Sequence, residues 1–265
     1  MAIISLANAK GGAGKTTAAV LLAAAYARKG KSVLVLDCDR FSSATDWCIK
    51  AGAKIDAISG VTSSNLAEHL RRNRGRYKHV IIDLSGASDM LIALASGLSD
   101  LVLVPVQGSV LDGQGAVHVF NIIDMVMQNT RSRVRRAVLL SRVNPLVTTR
   151  SLRQVQAMLG QKGIAVLATP IVERSAYRDM FERGCLLDNL DPAKTSNIDK
   201  AIANMAALLR EVKTFIADDE HAQTPYSGIC YGEERAAQPG KRDPFRRYAA
   251  ASAASLAPSL SMPSA

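Results

Sequence analysis

Short apolar runs alternate along the chain with longer stretches whose apolar residues recur at helical spacing. The runs predict strands over Ala2–Ala7, Ser32–Leu36, Val80–Ile82, Leu101–Val106, Ala137–Ser141 and Ile164–Ala168. The periodic stretches predict helices over Gly14–Lys29, Ser42–Ala51, Ser64–Arg72, Gly113–Met127, Thr149–Gly160, Ala176–Arg183 and Asn197–Ile216. The strands are apolar throughout rather than alternating, as expected when helices cover both faces of a parallel sheet. The expected fold is therefore α/β: a single doubly wound, mostly parallel sheet with helices on both faces. Such sheets bind ligands beyond the carboxyl ends of their strands. Asp37, Asp39 and Asp83 fall at those ends.

Periodicity stops after Ile216. The next residues are polar and aperiodic, and the chain closes on AAASAASLAPSLSMPSA, a low-complexity Ala/Ser/Pro stretch. Residues 1–216 are expected to form one domain and 217–265 a mostly disordered tail. No apolar run approaches the roughly 18–20 residues of a membrane span. The start, MAIISLANAKGG, lacks a basic stretch ahead of an apolar run and reads as a first strand, so a cytoplasmic protein is expected.

Charge narrows the class of partner. The net charge is +10, yet 217–265 hold five Lys/Arg against six Asp/Glu. The first 216 residues hold 28 against 17, a net +11. A basic body suits a polyanion, either nucleic acid or an acidic membrane surface, or is simply a soluble basic surface. The four cysteines, Cys38, Cys48, Cys185 and Cys230, form no C-x-x-C pair and have no His at ligand spacing. They read as reduced thiols rather than as a zinc or iron–sulfur site.

The chemistry lies in Gly11-Gly-Ala-Gly-Lys-Thr-Thr17, between a predicted strand and a predicted helix. Glycines let the backbone curl so that successive N–H groups point at one phosphate chain, and the helix N-terminus adds its dipole. Gly11, Gly12, Gly14, Lys15, Thr16 and Thr17 form the candidate ATP cradle. Lys15 is placed to reach the β- and γ-phosphates, and the Thr16 hydroxyl to ligate Mg²⁺. Lys10 precedes the glycines. It reads either as extra charge for the phosphates or as a surface lysine. Asp39 and Asp83 read as carboxylates that hold Mg²⁺ and orient water, and alternatively as turn or cap residues, as does Asp37.

Lys10-Gly-Gly-Ala-Gly-Lys-Thr-Thr resembles the deviant Walker A box of the ParA/MinD ATPases. Asp37-Cys-Asp39 resembles that family's switch I, Val80-Ile-Ile-Asp83-Leu-Ser-Gly86 its Walker B and switch II, and Ser141-Arg-Val-Asn144-Pro its adenine-contacting strand end. The resemblance covers nearly all of 1–216. It implies a slow, partner-stimulated ATPase that forms an ATP-sandwich dimer. Lys10 would reach the phosphates held by the other subunit. Lys15 and Asp39 would complete the catalytic set, with Thr16, Asp39 and Asp83 around Mg²⁺ and Asn144 at the base. The chain departs from the family after Asp39, where it reads Arg40-Phe41-Ser42-Ser43, and after Asp83, where it reads Leu84-Ser-Gly-Ala87.

The resemblance implies DNA partitioning: non-specific DNA binding by Arg150, Arg153, Arg174, Arg178 and Arg183, a ParB-like centromere-binding partner, and nucleoid association in the ATP state. A VirC-type ATPase that serves DNA transfer with a relaxosome is the alternative, prompted by Trp47 and by Pro170–Arg178. A MinD-like membrane role is disfavoured, because Phe245-Arg-Arg-Tyr248 precedes an Ala/Ser stretch broken by Pro258 and Pro263, which makes no stable anchor. The basic clusters 71–78 and 131–136 read more readily as solvated helix ends than as binding sites, and neither is singled out as the site.

Overall fold

The computed structural model describes residues 1–130, 133–144 and 149–218. The expected disordered tail lies outside them beyond Asp218. Among the described residues, seven strands form one sheet in the order β3-β2-β4-β1-β5-β6-β7, and every pairing is parallel. Along the chain run β1 (Ala2–Leu6), α1 (Lys15–Arg28), β2 (Val33–Asp37), α2 (Ser43–Ala51), β3 (Ile55–Ile58), α3 (Leu66–Arg72), β4 (His79–Asp83) and α4 (Asp89–Leu98). Then follow β5 (Leu101–Val106), α5 (Val110–Thr130), β6 (Arg135–Val143), α6 (Arg150–Gln161), β7 (Ile171–Val172), α7 (Ser175–Arg183) and α8 (Ile198–Ala217).

The pleat explains why these strands carry no polar face. In β5, Leu101 and Leu103 enter one core while Val102, Val104 and Val106 enter the other. In β2, Val33 and Val35 split likewise from Leu34 and Leu36. One core is closed by α1, α2, α7 and α8, the other by α3, α4, α5 and α6. Pro105 is tolerated inside β5 because it lies beyond Leu103, the last residue paired with β1.

One expected strand is corrected. Ile164–Ala168 makes a single bridge, Val166 to Val138, and not a strand. The Glu211 carboxylate of α8 accepts the Ala168 and Thr169 N–H groups at 2.6 and 2.7 Å, so they cannot extend a ladder, and Pro170 follows. The sheet resumes at β7, a two-residue edge strand.

Candidate nucleotide site

β1 is flanked by β4 and β5. The loop that follows it therefore faces the ends of both neighbours. Gly12 and Gly14 take φ of +76° and +99°, conformations open to glycine. Gly14 also packs so closely that an added Cβ would lie 3.1 Å from Ser141 Oγ. Gly11 has neither constraint. The Ser141 hydroxyl donates to Ala13 O at 2.8 Å, which sets the end of β6, with Asn144 just beyond it, against the phosphate loop.

Lys15 opens α1 and is 4% exposed; its Nζ donates to Lys10 O at 3.0 Å. Burial lowers its pKa, and the charges of Asp83 and Asp39 oppose that shift. Asp83 is fully buried at the end of β4. Burial pushes its carboxyl up to about 6, against the nearby Thr16 and Ser85 hydroxyls and the charge of Lys15. Ser85 Oγ donates to Asp83 Oδ1 at 2.8 Å and lies 2.9 Å from Thr16 Oγ1. A hydroxyl has one proton, so Thr16 is the donor in the second contact. Asp83 Oδ2 is buried without a hydrogen-bond partner.

The two other acids separate. Asp37 is fully buried and spends both oxygens on backbone, accepting Asp39 N and Thr45 N at 2.9 Å each. The Thr45 contact caps the first turn of α2, so Asp37 takes the capping role. Asp39 is partly exposed and accepts Phe41 N at 3.1 Å.

Lys10 is not a free surface lysine. Its Nζ lies 2.6 Å from Asp112 Oδ1 and 3.3 Å from Ser109 Oγ, at the start of α5. Ser109 and Asp112 also exchange side-chain-to-backbone bonds at 3.1 and 3.2 Å, which fixes the acid. Asn8 donates to Pro105 O at 2.7 Å and accepts Lys10 N at 2.9 Å. Gln107 donates to Gly12 O at 2.5 Å. Asn8, Ser85, Gln107, Ser109 and Asp112 are site residues to which the sequence assigned no role of their own. Ser85 lies in the segment that resembles switch II, and Gln107, Ser109 and Asp112 lie in a stretch, Asp100–Asp112, that resembles the strand and loop of partition ATPases.

The five candidate DNA arginines do not fall on one element. Arg150 and Arg153 are exposed in the first turns of α6, which packs on α5. Arg174, Arg178 and Arg183 lie at the start or on the length of α7, which packs on α8. Among the described residues, Arg178 lies 3.8 Å from Glu173, and Arg174 Nε is buried without a partner. Trp47 is buried and donates to Met180 O at 3.0 Å, tying α2 to α7. Cys38, Cys48 and Cys185 are free thiols, and burial pushes Cys38 and Cys48 up to about 12.

Fold and loop together define a P-loop protein of the ParA/MinD class. The VirC1 protein family matches residues 1–221, and the chain belongs to it. Protein ParA of Rhizobium radiobacter is 32% identical over 210 residues, 78% of this chain and 94% of its own. Among solved structures, a Cyanothece McdA variant in complex with ATP superposes with a TM-score of 0.66 at 15% identity, over 80% of this chain and 96% of its own. The pNOB8 ParA bound to nonspecific DNA superposes at 0.56 with 18% identity, over 82% and 99%. At these identities the structural likeness is one of fold.

Proposed function

We propose that this chain is an ATP-hydrolysing switch. ATP joins two copies across their phosphate loops, and the dimer binds DNA without sequence preference to partition or position it. The observation that carries this reading is the meeting of Lys10, Lys15, Thr16 and Asp83 at the end of β1. Gly11, Gly12, Gly14, Thr16 and Thr17 cradle the phosphates, Lys15 balances their charge, and Asn144 lies at the base. Asp39 positions the attacking water. Lys10 of the second copy stabilises the charge that develops on the transferred phosphoryl group.

The site suits Mg²⁺. Among the described residues no three His, Cys, Asp or Glu side chains converge. Mg²⁺ takes one or two carboxylates, waters and substrate phosphates instead of a protein cage. The orphaned Asp83 Oδ2, the Thr16 hydroxyl and Asp39 fit that demand. When bound, the ion would neutralise the β- and γ-phosphate oxygens.

A second copy fits the surface around the site. Phe41, Met90 and Leu111 are 67%, 67% and 64% exposed, each just beyond the end of β2, β4 or β5. Large apolar side chains gathered at one edge of a sheet suit an interface. DNA binding is supported by the net +11 body and by what the pNOB8 ParA holds. A ParB-like partner would stimulate turnover, and the ATP form would sit on the nucleoid of the cytoplasm. The VirC1 family match favours one second reading, service to DNA transfer beside a relaxosome. A neighbouring centromere-binding gene or a neighbouring relaxase gene separates the two. Among the described residues no helix is long and apolar enough to cross a membrane. Phe245–Tyr248 lies outside them.

Size-exclusion chromatography with Mg²⁺ and a non-hydrolysable ATP analogue tests the core of this reading. Wild type is expected to elute as a dimer, and Lys10→Ala and Lys15→Gln as monomers. A wild type that stays monomeric would overturn the sandwich.

A further inference from the structure

The end of the sheet opposite the phosphate loop carries a feature that nucleotide chemistry does not use. Two open grooves of about 520 and 630 Å³ lie at the N-terminal ends of β1, β4 and β5. Lys31, Lys78 and His79 line the first; Arg71, Arg74 and Lys78 line the second. The grooves share Lys78 and Asp100, so they form one continuous trough.

The trough is short of negative charge. Asp100 uses Oδ2 to accept Ile3 N at 2.7 Å. Glu68 gives one oxygen to Arg71 and the other to Arg72. Asp56 accepts the Tyr77 hydroxyl at 2.6 Å. Among the described residues, Lys31, Arg74 and Lys78 are exposed and have no carboxylate within ion-pair distance. His79 is part-buried at the edge of this trough. Burial, and then Lys213, the amino terminus, Lys31 and Lys78, push its imidazole down to about 4.

We infer that this trough is a second DNA-backbone site, separate from the late arginines and present on each subunit before ATP joins two of them. The free donors are lysine and arginine groups strung from α3 to the start of β2, which suits a row of phosphates rather than one caged anion. The neighbouring hydroxyl and amide groups are already engaged, Tyr77 by Asp56 and the Asn73 amide by His69 O at 2.9 Å, which leaves the flexible cations as the free donors. Binding is therefore sequence-tolerant.

The inference rests on the DNA-binding dimer proposed above and adds how ATP controls it. A five-residue strand spans about 16 Å, so trough and phosphate loop lie at opposite ends of β1. Two copies joined at their phosphate loops would carry the troughs at their outer ends. ATP would then raise DNA retention through valence, without building the site.

The test measures binding of the full chain to unrelated DNA duplexes from 50 to 200 mM salt, with and without the ATP analogue. Wild type is compared with Lys31→Glu/Arg74→Glu/Lys78→Glu and with Arg150→Glu/Arg153→Glu, all checked for folding by thermal melting. Each phosphate contact contributes about 0.9 to the slope of log affinity against log salt. Without nucleotide, the trough variant is expected to lose nearly three units of slope, about 0.9 for each of three contacts, and at least ~10-fold in affinity relative to wild type. Without nucleotide, the Arg150/Arg153 variant is expected to lose less slope and affinity than the trough variant. Unchanged slope and affinity in the trough variant would overturn the second site, as would trough-dependent binding of a polyglutamate peptide tighter than that of duplex. DNA binding seen only with the analogue, and lost only in the Arg150/Arg153 variant, would overturn the trough and leave the partition reading intact. A wild type that binds no DNA in any state would instead sink the partition reading itself.

Discussion

Lys10 and Asp112 form an ion pair of 2.6 Å within one subunit, and the acid is 4% exposed where the lysine is 41% exposed. The cation proposed to serve a second copy is thus held at home by a buried carboxylate. Burial alone would raise the pKa of Asp112; the bonds from Lys10 and Ser109 outweigh it, and the net shift is downward. Sending Lys10 across an interface leaves that acid without its cation, which opposes dimerisation.

Asp112→Asn keeps the oxygen that accepts Ser109 N and removes the charge that holds Lys10. A half-exposed pair of this kind is worth about 1 kcal/mol per subunit. The variant should dimerise with the ATP analogue roughly 30-fold more readily, since two pairs of about 1 kcal/mol each are released per dimer. Sedimentation against analogue concentration reads this directly. Equal or weaker dimerisation would show that the pair does not compete with the interface.

Ser85 links Thr16 to Asp83 in the absence of nucleotide. Ser85→Ala leaves a buried carboxylate oxygen short of a donor, at a cost of about 1–3 kcal/mol. The nucleotide-free variant should melt lower. Once Mg²⁺ and the ATP analogue engage Thr16 and Asp83, the hydroxyl matters less, so the ligand-induced rise in melting temperature should exceed that of wild type. A rise equal to wild type would mean that Ser85 gives way to nothing when nucleotide binds.

The glycines of the loop should divide by cause. Gly14→Ala places a Cβ at φ +99° and 3.1 Å from Ser141 Oγ. It should destabilise the nucleotide-free protein by about 1–2 kcal/mol. Gly11→Ala meets open space at an unstrained φ. It should melt like wild type and still bind a fluorescent ATP analogue more weakly, because its need for glycine arises when phosphates approach. Denaturant melts and nucleotide titrations of both variants check the division.

His79 stacks on Tyr26 with centroids 3.7 Å apart, and its Nδ1 is buried without a partner. Tyr26 of α1, Lys213 of α8 and the nearby Lys31 and Lys78 surround it. Its pKa falls from 6.5 to about 4, chiefly through burial. The unfolded chain therefore binds this proton more readily than the folded one between those values. Stability present above pH 6.5 is lost as pH falls toward 4. His79→Phe keeps a ring on Tyr26 and removes the proton, so it should lose less stability across that window. Denaturation midpoints at pH 7, 5.5 and 4.5 compare the two.

What was legible in the sequence is what local chemistry encodes. The glycine run, Lys15 and Thr16 announce a phosphate loop, and the apolar runs ending at Asp37 and Asp83 announce strands with acids at the ligand edge. Other elements were not legible. β3 is a four-residue edge strand with only Ile55 deeply buried, so it lacks an apolar run. α4 follows Ser85-Gly-Ala-Ser88, which reads as loop, although Ser88 caps it by accepting Leu91 N at 3.3 Å. Asp112 and Gln107 join the site because β5 pairs beside β1, about a hundred residues away in the chain. No spacing rule reports a meeting created by strand order. The candidate arginines rest on charge and on the resemblance, and neither says that α6 and α7 pack against different neighbours.

Asp37 accepts N–H groups from both Asp39 and Thr45. The segment between them is a ring stapled at both feet to one side chain, rooted in the sheet. Both Asp39 and α2 are therefore anchored on one carboxylate, and α2 is tied in turn to α7 through Trp47. A displacement of α7 has a short route to Asp39, through the Trp47 indole, the first turn of α2 and the buried side chain of Asp37.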